Sequence, residues 1–441
     1  MTRRSLRAPQ PIPRALSPLR DFMHTEAASG ILLAVGAVTA IVWANSPWSP
    51  SYEHLWTTPV SLTVGSHSLH LLMRQWINQG LITVFFFVVG LEIKRELVSG
   101  QLATKRAALL PVVAAVGGMV TPALIYLAIA GGSAPRGWAI VIATDIPLAL
   151  GILAIASSRV PPALRVFLLA LAIVDDIGSL LIIAAFYSTG IGWGWLAAAV
   201  AVLAVVVVGR RLGIQQQSVF LALGCLMWLM LHEAGISATL AGVAMGLLAP
   251  TTARIAPEFV DVEELADVST VENAMMTTDI ARGSVSVVEW LQHLLHPWAS
   301  YVIVPLFALA NTGITVSSSV LHDAVRSPIT WAIIIGRVVG KPLGILLATK
   351  FVIATNRADL PGDATPRQSL GVATTGGMGF TVALFITGLA FTDATQRSDA
   401  TLGILVAAVL AAALSLAVLG VGQRRLEPAS TAGSPTQAVT R

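Results

Sequence analysis

The sequence predicts an all-α membrane protein with about twelve transmembrane helices, and three observations support this fold class. Of the 441 residues, 55% are hydrophobic and 11% are charged, whereas soluble proteins carry about 25% charged residues. The apolar residues form continuous runs rather than amphipathic stripes. Several of these runs contain about 17 or more residues, which is enough to cross roughly 30 Å of hydrocarbon at about 1.5 Å per residue.

Basic residues fall mainly on alternate connections between the predicted spans, and the positive-inside rule then places both termini in the cytoplasm. This divides the chain into a basic cytoplasmic tail at residues 1–24, a membrane domain at 25–422 and a disordered cytoplasmic tail at 423–441. The predicted spans are centred near residues 36, 86, 117, 148, 177, 202, 224, 243, 306, 340, 381 and 410.

Two connections have a composition of their own. The segment "VSLTVGSHSLHL", within residues 59–72, alternates apolar and polar side chains around Gly65-Ser66 and predicts an external β-hairpin. Its open strand edges would gain by pairing with a second subunit, and packing on the chain's own helices is an equal alternative. Residues near 251–292 are rich in Asp and Glu and predict a flexible, acidic cytoplasmic loop.

Five ionisable residues lie well inside the predicted spans: Asp145, Asp175, Asp176, Arg337 and Lys341. Each such group costs about 2.5–3.5 kcal/mol at a bilayer centre on insertion scales. A structural ion pair, or a long side chain that reaches the membrane surface, can explain Arg337. It does not explain the aspartates, because their side chains are short and three acids outnumber two bases. The acids therefore predict a functional site whose partner is an ion.

The adjacent acids of "LALAIVDDIGSLLIIAAF" can border one cavity without facing the same point. Consecutive helical residues point about 100° apart. One carboxylate of the Asp175–Asp176 pair can therefore meet a mobile cation while the other meets Lys341. Carboxylate and hydroxyl oxygens suit protons or a small, hard cation. Spacing alone does not say which acid has which task.

Two of the predicted helices contain residues that interrupt a helix. In the fourth span, Pro147 lacks an amide hydrogen, frees the carbonyl of Ala143 and disfavours helix at the preceding residue. A break beside Thr144 and Asp145 would expose oxygens at membrane depth. In the eleventh span, three glycines within four positions predict a second unwound segment: Gly376, Gly377 and Gly379.

The two interrupted helices occupy the middle of spans 3–5 and of spans 10–12. An offset of seven spans makes these two groups enter the membrane from opposite sides, which is typical of inverted repeats around a midplane site. The half-helix ends at such a site carry partial charges of both signs. Asp145 and Lys341 are suited to neutralising them.

Six motifs in order resemble the NhaA family of sodium/proton antiporters, over about residues 27–420: "FFFVVGLEIKREL", "ATDIPLALGILAI", "LALAIVDDIGSLLIIAAFYS", "HPWASYVIVPLFALANTG", "GRVVGKPLGI" and "GGMGFTVALFI". The resemblance implies a secondary transporter, not an enzyme. It would export sodium or lithium in exchange for protons, electrogenically and under pH regulation, without a cofactor.

The same resemblance implies a location and partners. The chain is expected to cross the bacterial cytoplasmic membrane many times, among membrane lipids, and to form a homodimer through the external hairpin. Its basic residues are spread over the connections rather than clustered on one soluble face, so a nucleic-acid partner is not expected.

The resemblance also assigns roles to residues. It implies that Asp176 is the main sodium and proton ligand, that Asp175 assists while pairing with Lys341, and that Thr144 and Asp145 belong to the ion site's unwound segment. Four further residues match the region through which the family responds to pH: Glu92, Arg95, His293 and His296. The chain departs from the family pattern at Gln79 and Gln292, which replace expected acids and leave the pH profile open.

Three other functions could use buried acids. An intramembrane aspartyl protease needs a Gly-x-Gly-Asp type of element, and "GGMGF" contains no acid. A passive cation channel and a sodium symporter could both use the same carboxylates. Coupled proton movement would exclude the channel, and the sign of the pH change on addition of sodium separates an antiporter from a symporter.

Overall fold

The computed structural model describes residues 28–64, 67–156, 159–188, 190–212, 216–251 and 285–420. The predicted terminal tails, the hairpin residues Gly65 and Ser66 and most of the predicted acidic loop lie outside these ranges. The described chain is mostly helical. Its α-helices are α1 Ala28–Ala44, α2 Ser49–Thr57, α3 Met73–Ser99, α4 Lys105–Ala130, α5 Ile146–Ile155, α6 Pro162–Phe186, α7 Trp193–Arg211, α8 Gln217–Glu233, α9 Thr239–Leu247, α10 Val287–Asn311, α11 Ser318–Arg326, α12 Pro328–Ala354, α13 Pro366–Gly376, α14 Thr381–Ala390 and α15 Ala394–Gly420.

Eight helical segments in the described residues are long and apolar enough to cross a membrane, or up to ten if each of two bent helix pairs counts as one span. The predicted count of twelve is not confirmed. The helices near residues 224 and 243 are the reason, because α8 is shorter than the eight and α9 has only nine residues. Nine residues of α-helix rise about 13.5 Å, less than half the thickness of a bilayer's hydrocarbon core.

The predicted hairpin is confirmed as a two-stranded antiparallel sheet. Strand β1 spans Pro59–Val64 and strand β2 spans His67–Leu72. The register pairs Pro59 with Leu72 and Val64 with His67. The sheet therefore joins α2 to α3 as one short ribbon.

The fourth predicted span is interrupted as the sequence predicts. A 3₁₀-helix covers Pro135–Val141, residues 142–145 leave the helix, and α5 begins at Ile146. Pro147 lies in the first turn of α5, where a missing amide hydrogen removes no hydrogen bond. Asp145 caps this helix by accepting a hydrogen bond from the amide of Leu148.

The eleventh predicted span is also interrupted. Helices α13 and α14 meet at an angle of 45°, with residues 377–380 between them. Arg337 of α12 donates hydrogen bonds to the main chain of both interrupted spans. Helix α12 passes α4 so closely that a Cβ atom on Gly344 would lie 2.1 Å from the carbonyl oxygen of Gly117. Such close approach through small residues is typical of membrane helices.

The last part of the predicted acidic loop is helical instead. Helix α10 begins at Val287, and the hydroxyl of Ser286 accepts a hydrogen bond from the amide of Glu289 at 3.2 Å. Ser followed by an acid three residues later is a common signal for the start of a helix.

Candidate functional site

The two helix breaks cross, and Asp145 joins them. The amide of Asp145 donates to the carbonyl oxygen of Met378 at 2.8 Å. Oδ2 of Asp145 accepts from the amide and the hydroxyl of Thr381, at 2.9 and 2.5 Å. Its Oδ1 accepts from Leu148 at 3.3 Å. One carboxylate therefore serves the N-terminal ends of α5 and α14, where helix dipoles favour negative charge.

Gly379 is the point of closest approach between the breaks. A Cβ atom there would lie 2.2 Å from the carbonyl oxygen of Ala143 and 2.3 Å from a guanidinium nitrogen of Arg337. Any side chain would push the two segments apart. The glycine cluster of "GGMGF" thus permits a contact between two stretches of main chain.

Two buried cations face the carbonyl ends of the breaks. The guanidinium of Arg337 donates to Ile140 O at 2.7 Å, to Ala143 O at 3.1 Å and to Gly379 O. The ammonium of Lys341 donates to Ile142 O. Together they satisfy carbonyl groups at the C-terminal end of the 3₁₀-helix, where the helix dipole favours positive charge.

Lys341 was predicted from the sequence to neutralise a half-helix end, whereas Arg337 had no predicted role. Two features of the sequence could have identified Arg337 as a donor to the break. Pro147 frees the carbonyl of Ala143, which then needs a donor, and Arg337 lies four residues before Lys341 on α12. Arg337 has no exposed surface, so it does not extend to the membrane surface.

The adjacent acids of α6 face different surroundings. Oδ2 of Asp175 lies 2.8 Å from Nζ of Lys341 and 2.7 Å from the hydroxyl of Thr144. Asp175 has no exposed surface, whereas Asp176 is 7% exposed and lines a cleft. The carboxylates thus diverge as the 100° rotation per residue requires.

The cleft connects Asp176 with α3, α10 and both breaks. Thr144, Asp145 and Thr381 line it from the breaks, and Glu92 and His296 line it from α3 and α10. Nε2 of His296 lies 4.0 Å from Oε1 of Glu92. The cleft is therefore lined by a second acid and a histidine in addition to Asp176.

The other two residues matched to the pH-responsive region lie apart from this cleft. Arg95 and His293 are both exposed. Of the two departures from the family pattern, Gln292 is buried beside them on α10. Gln79 lies on α3, where its carbonyl oxygen accepts a hydrogen bond from the indole of Trp228 at 2.8 Å.

Comparison with known proteins gives consistent matches along the whole membrane domain. The family described as Na+/H+ antiporter 1 matches residues 20–419. The chain is 40% identical over 439 residues to the Na(+)/H(+) antiporter NhaA of Oleidesulfovibrio alaskensis, covering 96% of this chain and 97% of that protein. It is 44% identical over 423 residues to Na(+)/H(+) antiporter NhaA 1 of Myxococcus xanthus, covering 92% and 93%.

Among solved structures, the chain is similar to the sodium proton antiporter MjNhaP1 from Methanocaldococcus jannaschii. The TM-score is 0.49 and the sequence identity is 14%, covering 92% of this chain and 95% of that one.

Proposed function

This chain belongs to the Na+/H+ antiporter 1 family, and from that premise we propose that it exports sodium or lithium ions in exchange for protons. The observation that carries the proposal is the position of Asp176. It lines the cleft, and its Oδ1 has no hydrogen-bond partner among the described residues. A carboxylate oxygen in that position is available to a proton or to a hard cation.

The buried charges around the breaks support the proposal, because they leave one negative charge that a bound cation could neutralise. Three carboxylates, of Asp145, Asp175 and Asp176, face two cations, Arg337 and Lys341. If all five are ionised, the cluster carries one negative charge in excess. A sodium ion or a proton at Asp176 would neutralise it. The two ions then compete for one site, with Asp175 and Thr144 completing it.

Competition becomes antiport if the protein reorients only when the site is filled. Protons from outside would neutralise the acids, and sodium from the cytoplasm would displace them. The sodium-bound cluster would carry no net charge, whereas protonation of Asp175 in addition to Asp176 would add a second positive charge to the proton-loaded cluster. An exchange of two protons for one sodium ion would carry net charge, so we propose that transport is electrogenic.

We propose that Glu92, Arg95, His293 and His296 make transport pH-dependent. Glu92 and His296 have the better geometry, because both line the cleft that Asp176 also lines. A change of charge on either side chain alters the electrostatic potential along the route of a cation. Arg95 is three residues from Glu92, about one helical turn, and His293 is three residues from His296.

The proposed architecture has twelve spans, with α1, α8 and α9 as short ones, and inverted repeats formed by spans 3–5 and 10–12. Both termini would lie in the cytoplasm of a bacterium, with the protein in the inner (cytoplasmic) membrane among its lipids. The hairpin of β1 and β2 would lie outside and pair two copies of the chain, because each strand has one edge that its partner does not cover.

The central experiment measures proton movement in everted membrane vesicles whose interior has been acidified and whose membrane potential is clamped. Adding Na+ to wild-type vesicles should raise the internal pH. Asp176→Asn should abolish this response. The control is Asp399→Asn, which changes a carboxylate that is also 7% exposed but lies on α15 outside the cleft. This variant should retain the rise in internal pH on addition of Na+.

The same assay separates the rival functions. A sodium–proton symporter would lower the internal pH on addition of Na+. A passive channel would admit Na+ without coupled proton efflux, so the internal pH would not change while the membrane potential is clamped. Normal exchange in Asp176→Asn would show that the site lies elsewhere.

A further inference from the structure

Three buried side-chain oxygens within one turn of α6 have no hydrogen-bond partner among the described residues. They are Oδ1 of Asp175, Oδ1 of Asp176 and Oγ of Ser179. Ser179 has no exposed surface. Buried polar atoms are nearly always hydrogen-bonded, so three exceptions at neighbouring positions need an explanation.

The Ser179 hydroxyl differs from other buried hydroxyls in the helices. A hydroxyl in a helix usually donates to the carbonyl four residues earlier. Thr374, Thr387 and Thr401 do so, at 2.8, 2.9 and 2.8 Å. Ser179 makes no such bond to Asp175 O, although α6 is helical at both positions. Its own helix therefore does not account for the direction of this hydroxyl.

Helix geometry places Ser179 between the two acids. Viewed along α6, Ser179 lies about 40° from Asp175 and about 60° from Asp176, on the arc between them. It is one turn further along the chain, and Cα–Cβ bonds lean toward the N-terminus of a helix. The Cα–Cβ bond of Ser179 therefore leans toward the turn of α6 that carries the two acids.

We propose that Ser179 is a further ligand of the transported cation and helps to select its size, an inference that rests on the proposed antiport function. The described residues contain no group of three or more His, Cys, Asp or Glu side chains that could hold a metal ion. A dehydrated hard cation at Asp176 therefore needs neutral oxygens as well as carboxylates. Ser179, which has no exposed surface, would supply one from the same helix as Asp176.

The test is Na+ and Li+ binding to the purified protein by calorimetry at constant pH, together with exchange in vesicles. Ser179→Ala removes the oxygen, and Ser179→Cys replaces it with a soft sulfur of similar shape. Both should weaken cation binding roughly tenfold or more, as expected for a lost contact with a charged group. Both should also change the ratio of Li+ to Na+ affinity. Ser179→Thr, which keeps a hydroxyl, should restore binding.

The matched control is Ser415→Ala. Ser415 is equally buried, but its hydroxyl is paired with Thr375 at 2.6 Å. This variant should keep wild-type affinities and the wild-type ratio of Li+ to Na+.

Three results would overturn the inference. Wild-type affinities in both Ser179→Ala and Ser179→Cys would show that Ser179 is not a ligand, with the antiport function intact. Equal loss in Ser415→Ala would indicate a general packing effect. A wild-type protein that neither binds Na+ nor exchanges it would overturn the antiport function too. Binding without exchange would overturn the antiport function alone.

Discussion

The ammonium nitrogen of Lys341 lies 2.8 Å from Oδ2 of Asp175, and neither side chain has any exposed surface. Removing one partner of a buried ion pair leaves an uncompensated charge and costs about 3–5 kcal/mol. Lys341→Met should therefore lower the thermal stability of the purified protein strongly. The double variant Lys341→Met/Asp175→Asn removes both charges and should recover most of the loss. A single variant as stable as wild type would contradict this view of the pair.

Arg337 should contribute to stability through the main chain rather than through a carboxylate. Arg337→Met leaves the carbonyl groups of Ile140, Ala143 and Gly379 without their donor, at about 1–3 kcal/mol for each group that stays unsatisfied. Arg337→Lys retains a charge and should lose less stability. The measurement is thermal unfolding in detergent, with the exposed Arg326→Met as control. Equal effects at positions 326 and 337 would refute the prediction.

Gly379→Ala should separate the two breaks, because its Cβ atom would lie 2.2 Å from Ala143 O. We expect lower stability and little or no sodium-dependent proton movement. Gly388→Ala is the matched control on the neighbouring helix α14, since a Cβ atom there meets nothing within 4 Å. Alanine is favoured over glycine inside a helix by up to about 1 kcal/mol, so Gly388→Ala should be neutral or slightly stabilising. Full activity in Gly379→Ala would show that transport does not depend on the close approach between the main chains of the two breaks.

His296→Gln should shift the pH dependence of exchange more than His293→Gln does. Both histidines are exposed, but His296 lines the cleft, with its Nε2 atom 4.0 Å from Oε1 of Glu92, and His293 does not line it. The sodium-dependent proton movement of each variant is measured in vesicles across a range of pH. Identical profiles for both variants would indicate that the histidines act through something other than the cleft.

The interruptions of the two helices could be predicted from sequence because proline and glycine act locally. Pro147 restricts its neighbour and lacks a hydrogen-bond donor wherever it is placed, and the glycines at 376, 377 and 379 weaken a helix in any surroundings. The hairpin was predictable for a similar reason, since alternating polarity around a two-residue turn is a local pattern.

The lengths of the helices in the predicted spans were not predictable from hydropathy alone. The apolar run near residue 243 is long, but α9 is confined between Gly235, which adopts a φ of +73°, and Pro250. Hydropathy measures the composition of a run and not how much of it is helical.

The site itself was predictable in part. Rotation along a helix required Asp175 and Asp176 to diverge, and the excess of acids over bases indicated a missing positive charge. The contacts of Arg337 were not predictable, because they join residues 140 and 143 to residue 379 through a third helix. Such contacts depend on packing between distant segments, which no local pattern specifies.

The crossing of the breaks also has a consequence for how the protein opens locally. The amide hydrogen of Asp145 is bonded to Met378 O, and that of Thr381 to the Asp145 carboxylate. Unfolding of either segment breaks both bonds, so the two hydrogens become exchangeable with solvent deuterium together. Residues 142–145 and 377–380 should therefore exchange at matched rates, as one cooperative unit, despite a separation of more than 230 positions in the chain. The two sequence elements that most disturb regular helix thus form a unit that opens only as a whole.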